Sequence, residues 1–575
     1  MKTEVRERKD NIIYLFLFFL MSFVTVLPFL HYGKIFAVSD WSFHASRVEQ
    51  IYRNLKEGQF FTFIATSTFN HSGVGSFLFY PTVFIYPWAF FRLVMQPVSA
   101  FYCWYFLVTF GSFVVSYYCM KRYSKDSQMS FIFSLIYILN NYRLYLGHAV
   151  FGEFIATGIL PIVFLGFYET FFDQNNKYGW VLLAVGMALI TYSHLVSLII
   201  IIEIFTIILF ASCFIGRINI NFIYKWKQIS ASIGLWFLLS LPLIYLFITN
   251  YIGKNISAAS FGVNPALVPS LALLVSNSFK GIDNYGSPQL PYGIGLILIL
   301  TLFLGWYKAK KNKKDLYIYL LGALLLLVAT NLFPWNLLKL SPFGIIQLPI
   351  RYLSYSCLFL SVIASEIIHS ILKKTRLSWI LSTCLLVLVG VSLFSLSESK
   401  YISLVRSNPV SLLSKKSTLT PLPPSYIDNR NYEDQFNYTV VYGETDYFPK
   451  AAQKYANNIV NQIGYVNGER KRISVNDNEP NKLFIRLKLN KRGNSILPIV
   501  AYRSTIISIN GKNQYLSESK QGMVYLPHLR KGINDITVGF NPGIVFYALI
   551  IISITTWLVL LLGVICKKVR NDVIE

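Results

Sequence analysis

Charged residues are scarce in this chain, at 14% against about 25% in an ordinary soluble domain. That shortage excludes a fold whose whole surface faces water. Acidic residues are scarcer still, 27 against 52 basic ones. Cysteine is rare as well: all six (Cys103, Cys119, Cys213, Cys357, Cys384, Cys566) fall in or beside apolar blocks. The long polar segments therefore have no disulfide framework and no cysteine zinc site. The seven histidines (His31, His44, His71, His148, His194, His369, His528) show no paired i, i+4 spacing of the kind that holds a metal on one helix.

What the chain has instead is apolar mass: 54% of its 575 residues are hydrophobic and 16% aromatic. Much of this lies in blocks of roughly 16 to 24 residues, the length that crosses about 30 Å of hydrocarbon as a helix. The blocks do not alternate as barrel strands would, so they are expected to be helices. The net charge of +25 would suit a nucleic-acid binder if the basic residues shared one soluble face. They lie instead in short clusters between apolar blocks, such as Lys121, Arg122 and Lys125, or Lys308, Lys310, Lys311, Lys313 and Lys314. Further clusters are Arg217, Lys225 and Lys227; Lys373, Lys374 and Arg376; and Lys567, Lys568 and Arg570. This is the positive-inside pattern of a polytopic membrane protein, and no nucleic-acid partner is expected.

Twelve spans are expected, at 12–30, 99–119, 129–150, 154–172, 180–192, 195–214, 229–248, 292–307, 316–332, 352–371, 377–396 and 544–566. This register puts every basic cluster and both termini on the cytoplasmic side. Segment 77–95 is apolar but carries Pro81, Pro87 and Arg92, and reads as a surface or re-entrant helix. Asn140, Asn141, Tyr142 and Arg143 interrupt the third block with groups that are costly in lipid unless they face protein or water.

The domain plan is then a membrane domain over 1–396, with a long first outer loop at 31–98. An extracytoplasmic mixed or β-sandwich domain follows at 397–542, and a final span with its tail at 543–575. In the outer domain Leu483, Ile485, Leu487 and Leu489 alternate with Lys482, Arg486 and Lys488, a half-buried strand pattern. Asn510-Gly511 is a two-residue hairpin signal. Pro421, Pro423 and Pro424 mark the approach to the domain. Its 20 basic and 11 acidic residues suit an anionic polymer, or simply a solvated basic face.

The first outer loop carries the densest chemistry. A helix starting near Asp40 places Asp40, His44 and Arg47 on one stripe that continues through Val48, Ile51 and Leu55. A carboxylate there can accept a proton from a hydroxyl, and a neighbouring arginine can hold phosphate oxygens. The same spacing suits plainer roles: Asp40 as an N-cap, His44 as an interfacial residue, Arg47 as a snorkelling one.

Asp40-Trp41-Ser42-Phe43-His44 with Arg47, then Gly73-Val74-Gly75 before Phe77-Leu78-Phe79-Tyr80-Pro81, resembles a bacterial multi-pass family labelled as related to pyruvoyl-tetrahydropterin synthase. Asn141-Tyr142-Arg143-Leu144-Tyr145, Gly152-Glu153-Phe154-Ile155-Ala156 and Gln347-Leu348-Pro349-Ile350-Arg351-Tyr352-Leu353 extend the resemblance in order. Thr445-Asp446-Tyr447-Phe448-Pro449 and Asn510-Gly511-Lys512 are similar to segments of that family and, remotely, of YfhO-like proteins.

The zinc and cysteine chemistry of the soluble pterin synthase has no counterpart here. The resemblance implies instead a GT-C type membrane glycosyltransferase of the bacterial plasma membrane. Such an enzyme takes sugar from a polyprenyl-phosphate donor to an envelope glycan or anionic wall polymer. On that resemblance Asp40 is the candidate base and His44 its orienting or substrate-contacting neighbour. Arg47, Arg143 and Arg351 are candidates for the donor phosphate, and Glu153 is a second acid. No metal ligand set is assigned; a divalent cation beside the loop acid is left open. A flippase for lipid-linked saccharide and a non-catalytic envelope assembly protein are the competing classes.

Overall fold

The computed structural model describes residues 2–173, 176–214, 222–252, 256, 262–280, 292–338, 341–375, 377–410, 426–437 and 445–574. Pro421, Pro423 and Pro424, and Arg217 and Arg376 of the basic clusters, lie outside the described residues. Eight described helices are long and apolar enough to cross a membrane: Lys9–Tyr32, Pro97–Ser124, Phe151–Phe171, Leu195–Ser212, Lys225–Tyr251, Pro349–Lys374, Trp379–Ser407 and Ile544–Val564. They fit a multi-pass helical membrane protein, and each coincides with one of the twelve expected spans.

The other four expected spans are shorter than a bilayer demands, and local chemistry explains two of them. The third block splits into Ser127–Ile138 and Asn141–Ala149. At the break the Asn140 side chain accepts from the Arg143 N–H at 2.9 Å, so an N-cap interrupts the helix. The eighth shrinks to Leu296–Leu304, because Gly295 at φ +90° starts it and Gly305 ends it. A Cβ at Gly295 would lie 2.8 Å from the Asn141 side-chain oxygen, so the two interruptions pack together. Gly179–Thr191 and Lys313–Val328 are 13 and 16 residues long, about 20 and 24 Å at 1.5 Å per residue. Segment 77–95 holds the short helices Ser76–Phe79 and Tyr86–Val94, with the 3-10 turn Val83–Ile85 leading into the second.

The domain boundary at 397 also moves. Helix Trp379–Ser407 runs on past Leu396 because Ser397, Glu398, Tyr401 and Val405 are buried against the bundle rather than set in a loop. Lys34 then donates to the terminal carbonyls of Val405 and Asn408, at 3.2 and 2.7 Å, a favourable place for a cation.

The β-rich unit forms two five-stranded sheets. Ser517–Glu518, Met523–Leu529, Gly493–Val500, Ile463–Val466 and Glu469–Arg472 make one, in that spatial order; Asn476–Glu479, Lys482–Leu489, Gly532–Phe540, Thr505–Ile509 and Lys512–Gln514 make the other. The strand alternation is as expected: Leu483, Ile485, Leu487 and Leu489 are buried while Lys482, Arg486 and Lys488 are exposed. These leucines share a core with Leu497, Ile499, Val524 and Leu526 of the facing sheet. The Asn510-Gly511 turn also forms, with φ +49° and +78° closing the hairpin Thr505–Ile509 to Lys512–Gln514.

One end of the helical bundle holds Arg122 against Glu169 at 2.5 and 2.6 Å, and Lys225 on the Thr170 carbonyl. The opposite end meets the β-rich unit through the first loop. Asn481 accepts from the Phe63 N–H at 2.7 Å and donates to the Phe61 carbonyl at 2.8 Å. Val500 N–H donates to the Ser72 carbonyl, and Gly75 N–H to the Tyr502 hydroxyl at 2.9 Å. Gly73 and Gly75 are needed for this approach: a Cβ would lie 2.9 Å from Ile499 at the first and 3.1 Å from Tyr502 at the second.

Candidate functional site

Helix Trp41–Lys56 is held by its aromatic start. Trp41 and Trp88 are fully buried, with ring centres 6.2 Å apart, and Trp88 stacks on Trp104 at 5.4 Å. Truncating one such ring to alanine costs about 3–5 kcal/mol, so the helix start cannot wander. The Asp40 N–H donates to the Ala149 carbonyl at 3.1 Å, fixing the loop acid to the end of Asn141–Ala149. Asp40 occupies the N-cap position but its side chain makes no capping bond, which frees the carboxyl from the plain structural role. It is partly accessible, and Ser39 donates to it at 3.4 Å.

Three segments distant in sequence converge on this carboxyl. Arg351 supplies a positive charge that favours the carboxylate, while burial works against it and raises the Asp40 pKa overall. Asp446, from the chain entering the β-rich unit, is pushed up to about 7 by burial and then by the charge on Asp40. Asp446 therefore carries its proton up into the neutral range. Tyr80 lies within the same field of Asp40, Arg47, Arg351 and Glu153.

The segments that carry Asp40, Arg351 and Asp446 each have a non-glycine residue with left-handed backbone within four positions of the charged group: Ser39 at φ +50°, Gln347 at +60° and Tyr447 at +70°. At Gln347 the strain has a defined form. Leu348 N–H donates to the Ile346 carbonyl at 2.6 Å across it, the rarer and strained kind of γ-turn. Strained backbone of this kind costs about 1–3 kcal/mol per residue and gathers where surrounding structure imposes a functional geometry. Tyr447 is imposed on by packing: it stacks on Phe79 at 5.7 Å, and its carbonyl accepts from the Tyr502 hydroxyl at 2.9 Å.

Arg351 is aimed by carboxylate and carbonyl together. Its Nε lies 3.9 Å from Glu153, and one terminal nitrogen donates to the Ile346 carbonyl at 2.6 Å. Glu153 is itself fixed by the Ser354 hydroxyl at 2.7 Å and the Tyr142 hydroxyl at 3.1 Å. Arg351 keeps 11% of its side-chain surface accessible while Glu153 keeps 3%, so the arginine is the member of the pair that can reach a ligand.

Two expected phosphate ligands sit differently. Arg47 is fully buried, and one terminal nitrogen donates to the carbonyls of both Tyr80 and Pro81 at 2.7 Å. Its guanidinium also lies 4.8 Å from the Tyr80 ring centre. Arg47 thus clamps the Gly75–Pro81 segment rather than presenting itself to a ligand, and burial lowers its pKa to about 10. Arg143 is also buried, with its guanidinium on the Ser112 hydroxyl at 2.9 Å and over Phe154 at 4.3 Å. With Asn140 capping the helix, the Arg143 side chain leads toward Ser112, and the Phe154 it covers is the neighbour of Glu153, which faces Arg351.

His44 meets Arg47 at 3.4 Å through Nδ1, and its Nε2 has no partner. Burial first, then the Arg47 charge, lowers its pKa well below the usual value, so the ring is neutral near pH 7. A cavity of about 10 Å³, roughly one water, lies among His44, Arg47, Tyr80, Gly152 and Ser193. His194 packs on Gly152, its ring atom 3.1 Å from where a Gly152 Cβ would stand.

Asp446 and Gln50 are the contributors that sequence reasoning passed over. Gln50 is fully buried, and its oxygen accepts from three successive N–H groups, Thr66 at 3.0, Ser67 at 2.7 and Thr68 at 3.1 Å. It lies three residues after Arg47 on the same helix, an inward position that could have been noticed.

No family model and no curated protein matches this chain. The chemistry has to be argued from the side chains. Among the described residues no three His, Cys, Asp or Glu side chains gather as a metal ligand set. The arrangement offers one accessible carboxylate, one accessible guanidinium, a second carboxyl that retains its proton near neutrality, and a neutral imidazole, all where the first loop, the helical bundle and the β-rich unit meet.

Proposed function

We propose that the chain is a membrane glycosyltransferase that moves a sugar from a polyprenyl-phosphate donor to a hydroxyl of an envelope polymer. The observation that carries this reading is a partly accessible Asp40 within the electrostatic field of Arg351 at the bundle end that meets the β-rich unit. Asp40 takes the proton from the acceptor hydroxyl as its oxygen attacks the anomeric carbon. The bond from that carbon to the phosphate oxygen breaks, and Arg351 stabilises the charge gathering on the departing polyprenyl phosphate. Glu153 positions Arg351, Arg47 holds the Tyr80–Pro81 wall, and His44 lies beside the reacting groups. The positive-inside pattern supports a reading in which this end faces outward to the polymer and both termini are cytoplasmic. The basic surface of the β-rich unit suits an anionic wall polymer as acceptor.

The test uses membranes containing the full chain and a synthetic polyprenyl-phosphate hexose, with release of polyprenyl phosphate read by mass spectrometry. Asp40→Asn, present at wild-type level, should lower release at least about 100-fold, the usual contribution of a general base. Unchanged release would sink the role given to Asp40. Movement of the intact donor across the bilayer without cleavage would favour the flippase instead.

A further inference from the structure

At the basic end of the bundle, remote from Asp40, the helices leave a groove of about 610 Å³, within the usual range for a small-molecule site of about 300–1,000 Å³. Its walls come from six apolar helices and include Phe164, Ile208, Leu321, Leu358 and Val362. Among the described lining residues Lys314 is the one that carries charge. Its ammonium lies 3.9 Å from the Tyr123 ring centre and 4.5 Å from that of Tyr168, and donates to the Tyr168 hydroxyl at 3.2 Å. An ammonium has three donors, so the two rings hold the cation at the mouth and leave it capacity for an anionic oxygen.

The groove is one leaflet deep. From Lys314 to Leu324 along Lys313–Val328 is ten residues, about 15 Å of helix, half of a hydrocarbon core of about 30 Å. Its mouth is lateral: Ile207, Tyr317, Leu320 and Leu324 line it and are exposed on the bundle surface, where lipid would lie. Lys308, Lys310, Lys311 and Lys313 crowd the same end. Two carboxylates lie nearby, Glu366 facing Lys308 at 4.0 Å and within the field of Lys314, and Asp315 accepting from Asn312 at 3.3 Å, so the lysines outnumber them at this end.

We propose that this groove is a binding site for an anionic phospholipid of the adjoining leaflet, with one acyl chain between the helices and the phosphate on Lys314. The apolar walls set the chain, the depth sets the leaflet, and the lysines set the sign of the headgroup. The site is separate from the proposed transfer chemistry and does not depend on it.

The experiment is native mass spectrometry of the full chain equilibrated with equal amounts of phosphatidylglycerol and phosphatidylcholine. Wild type should retain phosphatidylglycerol preferentially, and Lys314→Ala should reduce that preference about fivefold, the effect of one basic side chain near an anionic surface. Leu321→Trp, which fills the groove, should lower total lipid retained. Ile208→Trp probes the opposite wall and replaces it if the first variant does not migrate as a folded species. Equal retention of both lipids by wild type, or retention unchanged in a folded tryptophan variant, overturns the site. Displacement of phosphatidylglycerol by an equal amount of polyprenyl phosphate overturns the assigned occupant.

Discussion

Replacing Gln50 with leucine removes the side-chain amide, oxygen and nitrogen together, and keeps roughly the same volume; the oxygen matters most. That oxygen accepts from the Thr66, Ser67 and Thr68 N–H groups at 3.0, 2.7 and 3.1 Å, and from the Thr68 hydroxyl at 3.3 Å. Thr66 and Thr68 are fully buried, so water cannot take its place there, whereas Ser67 is partly exposed and can turn to solvent. Two buried donors left without an acceptor cost about 1–3 kcal/mol each, so Gln50→Leu should lose about 2–6 kcal/mol. Even the lower figure raises the population with this loop open about 30-fold at 1.4 kcal/mol per decade.

Gln50→Glu keeps an acceptor inside a cradle of successive N–H groups, which favours an anion. It loses only the donations to Asn54 and Thr66 at 2.9 and 3.1 Å, and should be milder. Limited proteolysis within residues 60–75, alongside a denaturant midpoint, reads the difference. Cleavage of Gln50→Leu within about threefold of wild type would refute the reasoning. The loop also carries the Gly75 contact to Tyr502, and Tyr502 in turn holds Tyr447 beside Asp446. Transfer activity should therefore fall with loop opening, although Gln50 touches no ligand.

Asp446 has its pKa raised to about 7 by burial and the Asp40 charge, above the ordinary 3.8 it regains on unfolding. Its contribution to stability is fully present below the unfolded value and is lost as pH rises from about 4 through about 7. The midpoint of wild type minus that of Asp446→Asn should accordingly decrease between pH 5 and pH 8; a flat difference refutes the assignment. Arg47→Met loses two charge-assisted bonds, about 3–6 kcal/mol, partly offset by no longer burying a cation. It should lower stability with little change in donor KM, whereas a tenfold rise in KM with stability intact would make Arg47 a donor ligand.

The helical class was legible because lipid imposes a length on every span, and eight of the twelve expected blocks reach it. The four shortfalls share one feature: hydropathy cannot see where a helix stops inside an apolar run. Asn140 and Gly295 stop it through a cap and a positive φ. The Leu483–Leu489 alternation and the Asn510-Gly511 turn were legible because strand pleat and hairpin geometry are local. Asp40 stood out through its place in the first loop, but Asp446, 406 positions later, could be joined to it only by the folded chain. The same applies to the two arginines that moved. The helix stripe picked out Arg47, and the polar break in the third block with the family resemblance picked out Arg143, and neither carried information about what each guanidinium would meet.

By itself the sequence determined the solvent this protein lives in, the number of its long apolar helices to within a few, and the β-rich unit, because hydrophobic length, alternation and turn chemistry act over short stretches. Tertiary structure alone decided which charges share a site. Arg351 and Asp446 come within the field of Asp40, Arg143 meets Ser112, and Arg47 holds backbone, because those outcomes depend on where helices break and on which buried carbonyl or hydroxyl a cation reaches first.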